Sequence, residues 1–381
     1  MQKKFREMDL AERLDLLQCE IPLTDEDVSV IRNTLSVTKI EVVNHMIENA
    51  IGIYPIPLGI ATNFRINGKS YHVPMATEEP SVIAAASHAA KLAALNGGFK
   101  ATVTDSIMRG QIQVVSINDL SEACNIIYQN KEELLKRANL DARTVKAIDV
   151  KIRVLDDNFS VSQNPMLIVE LIVDTKDAMG ANAINTMCER TGPMIEKLTK
   201  GKVILKILSN YATERIATCE AILKKEDIGG KEIIERMLHG YAFAYSDPHR
   251  AVTHNKGIMN GIDAVALATG QDYRALEAGA HAYACRSGKY RSLSVFCKNE
   301  NNDLFCKIEL PMAVGTIGGV TSTYSMARLG LKILQVNSAK ELAMVLVSVG
   351  LAQNIGALRA LADEGIQSGH MKLHKRKFEK G

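Results

Sequence analysis

The spacing of hydrophobic residues predicts helices in the first hundred positions of the chain. Thr24–Asp27 has the composition of a helix start, and apolar residues recur at helical spacing from there toward Ile51. An alanine-rich run over 80–95 ends at Asn96-Gly97-Gly98. Proline near the start of a helix and glycine after its end are typical of helix boundaries. We therefore expect this part to be mainly helical.

The central part of the chain changes between the period of a strand and the period of a helix. Four segments alternate as strands and two have helical spacing: strands at 111–117, 148–155, 166–173 and 203–208, and helices at 120–139 and 181–199. Their order, β-α-β-β-α-β, matches the ferredoxin-like arrangement. Because helical sequence lies on both sides of this block, we expect a small domain inserted into a larger one.

The last part of the chain is predicted to be helical again, with two strands. The pattern indicates helix after Leu208 to about Ala244 and then a polar, loop-rich stretch over 247–261. Two strands, a glycine-rich turn and a long helix follow at 293–297, 304–309, 314–319 and 339–362, and Ser338 is placed to cap the helix.

These patterns predict an α+β protein. Residues 1–105 and 212–366 are expected to form one large, mostly helical domain, and residues 106–211 the inserted ferredoxin-like domain. Residues 367–381 are a separate C-terminal segment with a basic end.

The composition is that of a soluble globular protein. Hydrophobic residues make up 46% of the chain and charged residues 23%, and the net charge is +3, which together exclude disorder and a strongly charged nucleic-acid binder. Aromatic residues are 5%, so stacking on single-stranded nucleic acid is not expected. The seven cysteines have no Cys-x-x-Cys spacing, and no apolar run is long enough for a membrane span. We expect a cytoplasmic protein without a metal site.

Glu78-Glu79-Pro80-Ser81 is the first segment with candidate chemistry. A carboxylate at the start of the alanine-rich helix interacts favourably with the helix dipole, which is a purely structural role. The functional alternative is that one glutamate faces a cleft and acts as a general acid or base.

The polar stretch 247–261 is the second candidate, and Lys256 is its central residue. A lysine between Asn255 and Gly257 is suited to stabilise an oxyanion or to form a Schiff base, although an ordinary polar loop has the same composition. Asp272 has two alternatives: it pairs with Lys256, or it caps the helix that follows.

Two further segments carry weaker signals. The turn Asp177–Asn182 precedes a helix, where backbone N–H groups bind phosphate, but it is not a Gly-x-Gly-x-x-Gly fingerprint. The glycines of the turn 315–319 serve close packing as often as ligand binding. His370 is a proton donor or simply a surface residue.

Taken together, these segments resemble the class II 3-hydroxy-3-methylglutaryl-CoA (HMG-CoA) reductases from Phe5-Arg6 to about His374. The resemblance is carried by long motifs in a fixed order: EEPSVIAAAS at 78–87, DAMGAN at 177–182, THNKGIMNGID at 253–263, EAGAHAYACRSG at 277–288 and GIQSGH at 365–370. It implies a four-electron reduction of HMG-CoA to mevalonate and CoA by two NAD(P)H, in a homodimer or an assembly of dimers. It also implies that the large domain binds substrate and that the small one is a non-Rossmann dinucleotide domain.

The resemblance assigns roles to individual residues. It implies catalytic roles for Glu79 as proton donor, Lys256 as oxyanion stabiliser, Asp272 as the tuning aspartate and His370 as proton donor to the leaving thiolate. The implied substrate contacts are Arg6, Ser81, Asn210, Arg250 and Asn260. The implied dinucleotide contacts are Asp177, Met179, Gly180, Ala181 and Asn182.

Two departures from the family pattern affect these expectations. Class II members continue past the histidine as a lid domain, so 367–381 is expected to be the start of a truncated lid. The alternative function is therefore an impaired HMG-CoA- or acyl-CoA-binding protein of the same fold. Ala142 stands where one branch has an NAD-selecting aspartate, with Asp141 beside it. The nearby cations Lys136, Arg137 and Arg143 favour NADPH over NADH slightly.

Overall fold

Ten strands in three sheets and twelve helices make up the described part of the chain. The computed structural model describes residues 5, 8, 10–33, 46–47, 54–159, 165–319, 321 and 324–363. The strands are β1 (Leu58–Ile66), β2 (Lys69–Ala76), β3 (Lys100–Val103), β4 (Ile107–Val115), β5 (Lys146–Leu155), β6 (Met166–Asp174), β7 (Lys202–Ser209), β8 (Ile216–Leu223), β9 (Ser294–Lys298) and β10 (Leu304–Pro311). The helices are α1 (Leu10–Glu20), α2 (Asp25–Asn33), α3 (Val82–Ala94), α4 (Leu120–Gln129), α5 (Lys131–Ala138), α6 (Ala181–Thr199), α7 (Lys225–Ile228), α8 (Lys231–Ser246), α9 (Pro248–Ala268), α10 (Tyr273–Ala284), α11 (Ser325–Leu334) and α12 (Ala339–Ala362).

The central part forms a four-stranded antiparallel sheet of order β5-β6-β4-β7. Buried residues alternate along β4, and Met108, Ile112 and Val114 pack in one core with Ile127 and Ile184 of the helices. The strands and helices occur in the predicted order. The predicted helix 120–139 is divided into α4 and α5, because the Asn130 side chain donates to the Ile126 carbonyl at 2.8 Å and ends the first helix.

The hairpin β1–β2 contradicts the prediction of a mainly helical first hundred residues. The strands pair from Ile66↔Lys69 to Leu58↔Ala76 around the two-residue turn Asn67-Gly68. Both turn residues have positive φ, 50° and 85°, as a tight hairpin turn requires. Asn-Gly is the strongest local hairpin signal, and the hydrophobic spacing alone did not show it.

Strand β8 contradicts the helix predicted after Leu208. It lies between β3 and β10 in the second four-stranded sheet, of order β3-β8-β10-β9. Its buried positions alternate at Ala217, Cys219, Ala221 and Leu223. Three of these side chains are small, so the strand period was weak in the sequence. Six of the ten described strands lie outside 106–211, so "mostly helical" understated the β content there.

Helix α12 is the centre of the larger core, and its predicted bounds are confirmed. Ser338 accepts a hydrogen bond from the Glu341 amide at 3.1 Å, as its predicted cap role requires. A methyl group added at Gly356 would lie 3.0 Å from the Ala85 carbonyl, so α12 and the alanine-rich α3 pack closely. By length and composition α12 is apolar enough to cross a membrane, but 78% of its most apolar window is buried inside the structure, as in a core helix.

Candidate active site

Three polar side chains from two distant segments meet at one point. The Lys256 ammonium donates to Oε2 of Glu79 at 3.2 Å, and Nδ2 of Asn260 donates to the same oxygen at 3.3 Å. The Glu79 side chain is 37% exposed and that of Lys256 is 60% exposed, so both are open to a ligand. The structure therefore brings together a carboxylate, a cation and an amide donor that the sequence analysis had singled out separately.

The segment that carries Lys256 is a helix, and the prediction of a loop there was wrong. Helix α9 begins at Pro248, and the Asp247 carboxylate caps it by accepting from the Arg250 amide at 3.0 Å. Proline at the first position and aspartate before it are ordinary helix-start residues. The helix places Lys256 and Asn260 one turn apart on one face, so both reach Glu79.

Glu79 lies in the turn between β2 and α3. Its amide donates to Oγ1 of Thr77 at 3.3 Å. Ser81, two residues later, is the N-cap of α3 and has the left-handed conformation φ 77°, ψ −18°. Such a conformation costs about 1 kcal/mol for a residue other than glycine, and strained residues are common at functional sites. The turn is thus fixed by local contacts that set the position of Glu79.

A cavity of about 810 Å³ opens beside this turn. Glu79 and Ser81 lie on its wall, and it extends along α3 past His88 to Lys91. Burial, and then the charges of Arg359 and Lys91, lower the pKa of His88. Lys91 and Arg359 therefore lie close enough to His88 to disfavour its protonation.

Asp272 is the N-cap of α10, which is one of the two roles predicted for it. Its Oδ1 accepts from the Ala275 amide at 3.1 Å and lies 4.0 Å from Nη2 of Arg274. The side chain is exposed, and the helix it caps packs against α9. Its proposed influence on Lys256 stays a prediction.

Two of the predicted substrate contacts lie in α9 or against α10. Arg250 is half-buried in the first turn of α9, and burial lowers the pKa of its guanidinium. The exposed Asn210 uses its backbone carbonyl to accept from the Ala212 amide at 3.0 Å. A methyl group at Gly279 would lie 2.9 Å from that carbonyl, so α10 packs directly on the segment after β7. Arg6 and His370 lie outside the described residues, as does the C-terminal segment 367–381.

One group near Lys256 was missed by the sequence analysis. Asp263 on α9 is hydrogen-bonded to Glu277 on α10, and Glu277 contacts Nε2 of His281 at 2.7 Å. Burial, together with Glu277, raises the pKa of Asp263 to about 9. The hydrogen bond between His281 and Glu277 lowers the pKa of Glu277. The same hydrogen bond raises the pKa of His281. Two spacings in the sequence could have indicated this group. Glu277 and His281 are spaced i, i+4, and Lys256 and Asp263 are spaced i, i+7.

The turn 177–182 lies against the glycine-rich turn 314–319. The Asp177 carbonyl accepts from the Thr316 amide at 2.8 Å, and Ala178 pairs with Ile317. A methyl group at Gly315 would lie 2.5 Å from the Met179 amide nitrogen, so this contact requires glycine. The Asp177 carboxylate accepts from the Ala339 amide at 2.8 Å and so caps α12, a structural role that the sequence analysis did not foresee.

The N-terminus of α6 fits a phosphate group. Gly180 is its N-cap, with φ 98° and no side-chain cap, so no side-chain acceptor at that position competes for the first amides of the helix. A methyl group there would lie 2.5 Å from Cγ2 of Thr175. The fully buried Arg215 fixes the turn by donating to Oγ1 of Thr175 at 2.9 Å and to the Ala178 carbonyl at 3.2 Å. The residues 177–182 thus form a rigid cradle that a dinucleotide phosphate would fit.

The sequence model of the hydroxymethylglutaryl-coenzyme A reductase family matches residues 9–375. The chain belongs to this family. It is 49% identical over 377 residues to the 3-hydroxy-3-methylglutaryl-coenzyme A reductase of Archaeoglobus fulgidus. The matched region covers 98% of this chain and 85% of that protein. It is 39% identical over 343 residues to the probable reductase of Borreliella burgdorferi, with 88% and 77% covered.

Solved structures agree with this family assignment. The HMG-CoA reductase of Streptococcus pneumoniae has a TM-score of 0.89 and 38% identity, with 97% of this chain and 89% of that chain covered. A class II reductase structure from the same organism, bound to NADPH in open conformations, has a TM-score of 0.88 and covers 94% of this chain and 99% of that one. The predicted class II resemblance, the mixed α and β fold and the HMG-CoA reductase function are thereby confirmed, and the alternative of an impaired binding protein is not favoured.

The reductase site also has no metal-binding cluster in the part of the chain described here. Among those residues, no group of three or more His, Cys, Asp or Glu side chains is arranged to hold a metal ion.

Proposed function

We propose that this chain reduces HMG-CoA to mevalonate and CoA, with Lys256 and Glu79 as its central catalytic residues. The observation that carries this assignment is the contact of 3.2 Å between the Lys256 ammonium and the Glu79 carboxylate at the open edge of a cavity. Each reduction step places negative charge on a carbonyl oxygen and then requires a proton. The adjacent cation stabilises the negative charge, and the adjacent carboxyl group supplies the proton.

The dinucleotide, when bound, supplies the hydride for each of the two reduction steps. In the first step the Lys256 ammonium stabilises the oxyanion formed from the thioester carbonyl, and Asn260 orients the Glu79 carboxyl group. Collapse of the resulting hemithioacetal breaks the C–S bond, and the departing thiolate takes a proton from His370. In the second step Lys256 holds the aldehyde oxygen, and Glu79 gives its proton to the alkoxide. Asp272 tunes Lys256 through the helix contact of α9 and α10.

We assign the remaining contacts as follows. Arg6, Ser81, Asn210, Arg250 and Asn260 hold the substrate. The turn 177–182 holds the dinucleotide phosphates, within an inserted ferredoxin-like domain of residues 106–211 between the two parts of the large domain, 1–105 and 212–366. The support for that division is the four-stranded sheet order β5-β6-β4-β7 with its own core.

We propose NADPH as the preferred cofactor over NADH. The Asp141 carboxylate is paired with Arg190 at 3.2 Å, and this pairing offsets the repulsion between Asp141 and a 2′-phosphate. Lys136, five positions before Asp141 in the sequence, has a side chain that is 77% exposed. The reductase in the solved neighbour structure is bound to NADPH. We further propose a homodimer in the cytoplasm. Seven free cysteines support the reducing compartment.

Steady-state assays with NADPH and NADH in parallel, in both reaction directions, test the proposal. We expect HMG-CoA-dependent oxidation of NADPH with a higher kcat/KM than for NADH. Sedimentation of the active protein as a dimer is expected in the same buffer. Binding of HMG-CoA without oxidation of either cofactor contradicts the proposed reaction, and an active monomer contradicts the proposed assembly.

A further inference from the structure

Arg215 is a buried charged side chain at a crossing between two sheets. It is the last residue of the segment 210–215, which connects β7 of one four-stranded sheet to β8 of the other, and it is 2% exposed. Burial lowers the pKa of its guanidinium to about 10, so the group is still a cation at neutral pH. A buried charge is costly unless its hydrogen bonds are satisfied. The partners of those hydrogen bonds therefore indicate what the residue does.

The Arg215 guanidinium joins three segments of the chain. Its Nη1 donates to Oγ1 of Thr175 at 2.9 Å and to the Ala178 carbonyl at 3.2 Å, and its Nη2 donates to the Val314 carbonyl. Thr175 directly follows β6, Ala178 lies in the turn 177–182, and Val314 begins the glycine-rich turn. Because the guanidinium is planar and rigid, it holds these acceptors at fixed relative positions.

Both ends of this connection are anchored by further hydrogen bonds. The Arg215 amide donates to the Ala212 carbonyl at 3.0 Å, and the Arg215 carbonyl accepts from the Met312 amide at 2.9 Å. The amide and the hydroxyl of Thr175 both donate to the Ser106 carbonyl, at 2.9 Å and 3.0 Å. A shift of the guanidinium or of Thr175 would therefore break several hydrogen bonds at once.

Thr175 and the glycine-rich turn support the N-terminus of α6 from two directions. A methyl group at Gly180, the N-cap of α6, would lie 2.5 Å from Cγ2 of Thr175. A methyl group at Gly315 would lie 2.5 Å from the Met179 amide nitrogen. Phosphate binding at a helix N-terminus requires that the first amides have fixed directions. The acceptors of Arg215 lie in the two segments that make these close contacts.

We propose that Arg215 is a positioning residue for the dinucleotide phosphates. Its guanidinium sets the turn 177–182 against the turn 314–319 and thereby fixes the first amides of α6. This inference rests on the proposed function of the turn 177–182 as the dinucleotide site. Arg215 is buried, so it acts through the two turns and does not touch the reacting atoms.

Two substitutions of Arg215 test this role in the full-length protein. Arg215→Lys keeps the charge but not the planar group with several donors, and Arg215→Met removes the charge and all the donors. We expect the KM for NADPH to rise about 10-fold in Arg215→Lys and further in Arg215→Met, while the KM for HMG-CoA stays within about 2-fold of wild type. A normal KM for NADPH in folded Arg215→Lys overturns the proposal. An equal rise of both KM values does so as well, because a merely structural role would not select the dinucleotide.

A threonine variant with a matched control keeps the test open if the Arg215 variants do not fold. Thr175→Val removes the hydroxyl that accepts from Arg215 but keeps a methyl group toward Gly180, and it should raise the KM for NADPH about 3-fold. Thr191→Val is the control, since Thr191 is equally buried and its hydroxyl donates within α6, to the Met187 carbonyl at 2.9 Å. Its KM for NADPH should equal that of wild type. Equal KM values for NADPH in the two threonine variants contradict the proposal.

Gly180→Ala distinguishes this inference from the proposed function on which it rests. The added methyl group would collide with Thr175 at a φ of 98°, so it disturbs the turn 177–182 directly. If Gly180→Ala leaves the KM for NADPH unchanged, the dinucleotide binds elsewhere, and the proposed site fails together with the inference. A raised KM in Gly180→Ala with a normal KM in the Arg215 variants overturns only the positioning role of Arg215.

Discussion

Lys256 and Glu79 lie 177 positions apart in the sequence and 3.2 Å apart in space. The first is on the exposed face of α9 and the second is in the turn before α3, and both helices pack on α12. The core helices therefore set the distance between a cation and a carboxyl group at the edge of a cavity.

Removal of the Lys256 ammonium should affect turnover more than substrate binding. Lys256→Ala is expected to lower kcat about 100-fold or more, since loss of one oxyanion partner has effects of this size. Stopped-flow oxidation of NADPH with saturating HMG-CoA measures the loss. Lys231→Ala, on the exposed face of α8, is the control. A kcat within about 3-fold of wild type in Lys256→Ala would show that another group stabilises the oxyanion.

Neutralisation of Glu79 should remove the proton donor while preserving the shape of the turn. Glu79→Gln is expected to lower kcat by about 100-fold, a typical contribution of general acid catalysis. The neighbouring Glu78 is exposed on the wall of the same cavity, so Glu78→Gln is a matched control with near-normal kcat. If Glu78→Gln is the more damaged of the two variants, the proton donor has been assigned to the wrong glutamate.

The contact of Gly315 with Met179 gives a test of the dinucleotide site. A methyl group at Gly315 would lie 2.5 Å from a backbone nitrogen and must push the two turns apart. Gly315→Ala should raise the KM for NADPH about 10-fold and leave the KM for HMG-CoA nearly unchanged. Gly240→Ala in α8 is the control, because its methyl group would lie 3.4 Å from the nearest atom. An equal rise in both KM values argues against a separate dinucleotide site at this turn.

The sequence predicted the regular elements whose period was strong. The buried strand β6, the capped helix α12 and the alanine-rich α3 were each predicted close to their observed bounds. Helix α9 was not, because its His, Asn and Gly residues are typical of loops, while burial of its apolar face between other elements decides the conformation. Strand β8 was missed for a similar reason, since its inward residues are small.

The sequence analysis named Glu79, Lys256 and Asn260 one by one, but it did not predict how they meet. No local pattern relates Glu79 to Lys256, since their contact depends on how α9 and α3 pack. The same holds for Asp177, whose carboxylate caps α12 at Ala339, 162 positions away. The Asp263–Glu277 contact was missed because each residue alone has the appearance of a surface carboxylate on a helix. Only tertiary structure brings them together.

Buried His254 should make stability depend on pH. Burial, and then the charge of Arg250, lower its pKa to about 3 from the ordinary 6.5, and the neighbouring Asn354 opposes this only in part. The unfolded chain takes up the proton below pH 6.5 while the folded protein stays neutral until about pH 3. The neutral His254 therefore contributes to the free energy of unfolding above pH 6.5, and this contribution is lost as the pH falls from 6.5 toward 3.

Urea unfolding at pH 7 and pH 5 measures this effect. Between these values the wild type should lose about 2 kcal/mol more of its unfolding free energy than His254→Gln does. Other titrating groups contribute equally to both proteins, so the difference isolates His254. Parallel losses in the two proteins would mean that His254 accepts a proton in the folded state.

The stoichiometry of the reaction is the most direct measurement of the central claim. HMG-CoA in limiting amount is mixed with excess NADPH, and the oxidised cofactor and the released CoA thiol are counted in the same sample. The account predicts two molecules of NADPH oxidised for each thiol released, and loss of both signals in Lys256→Ala. HMG-CoA that binds without oxidation or thiol release, or thiol released without NADPH oxidation, would contradict it.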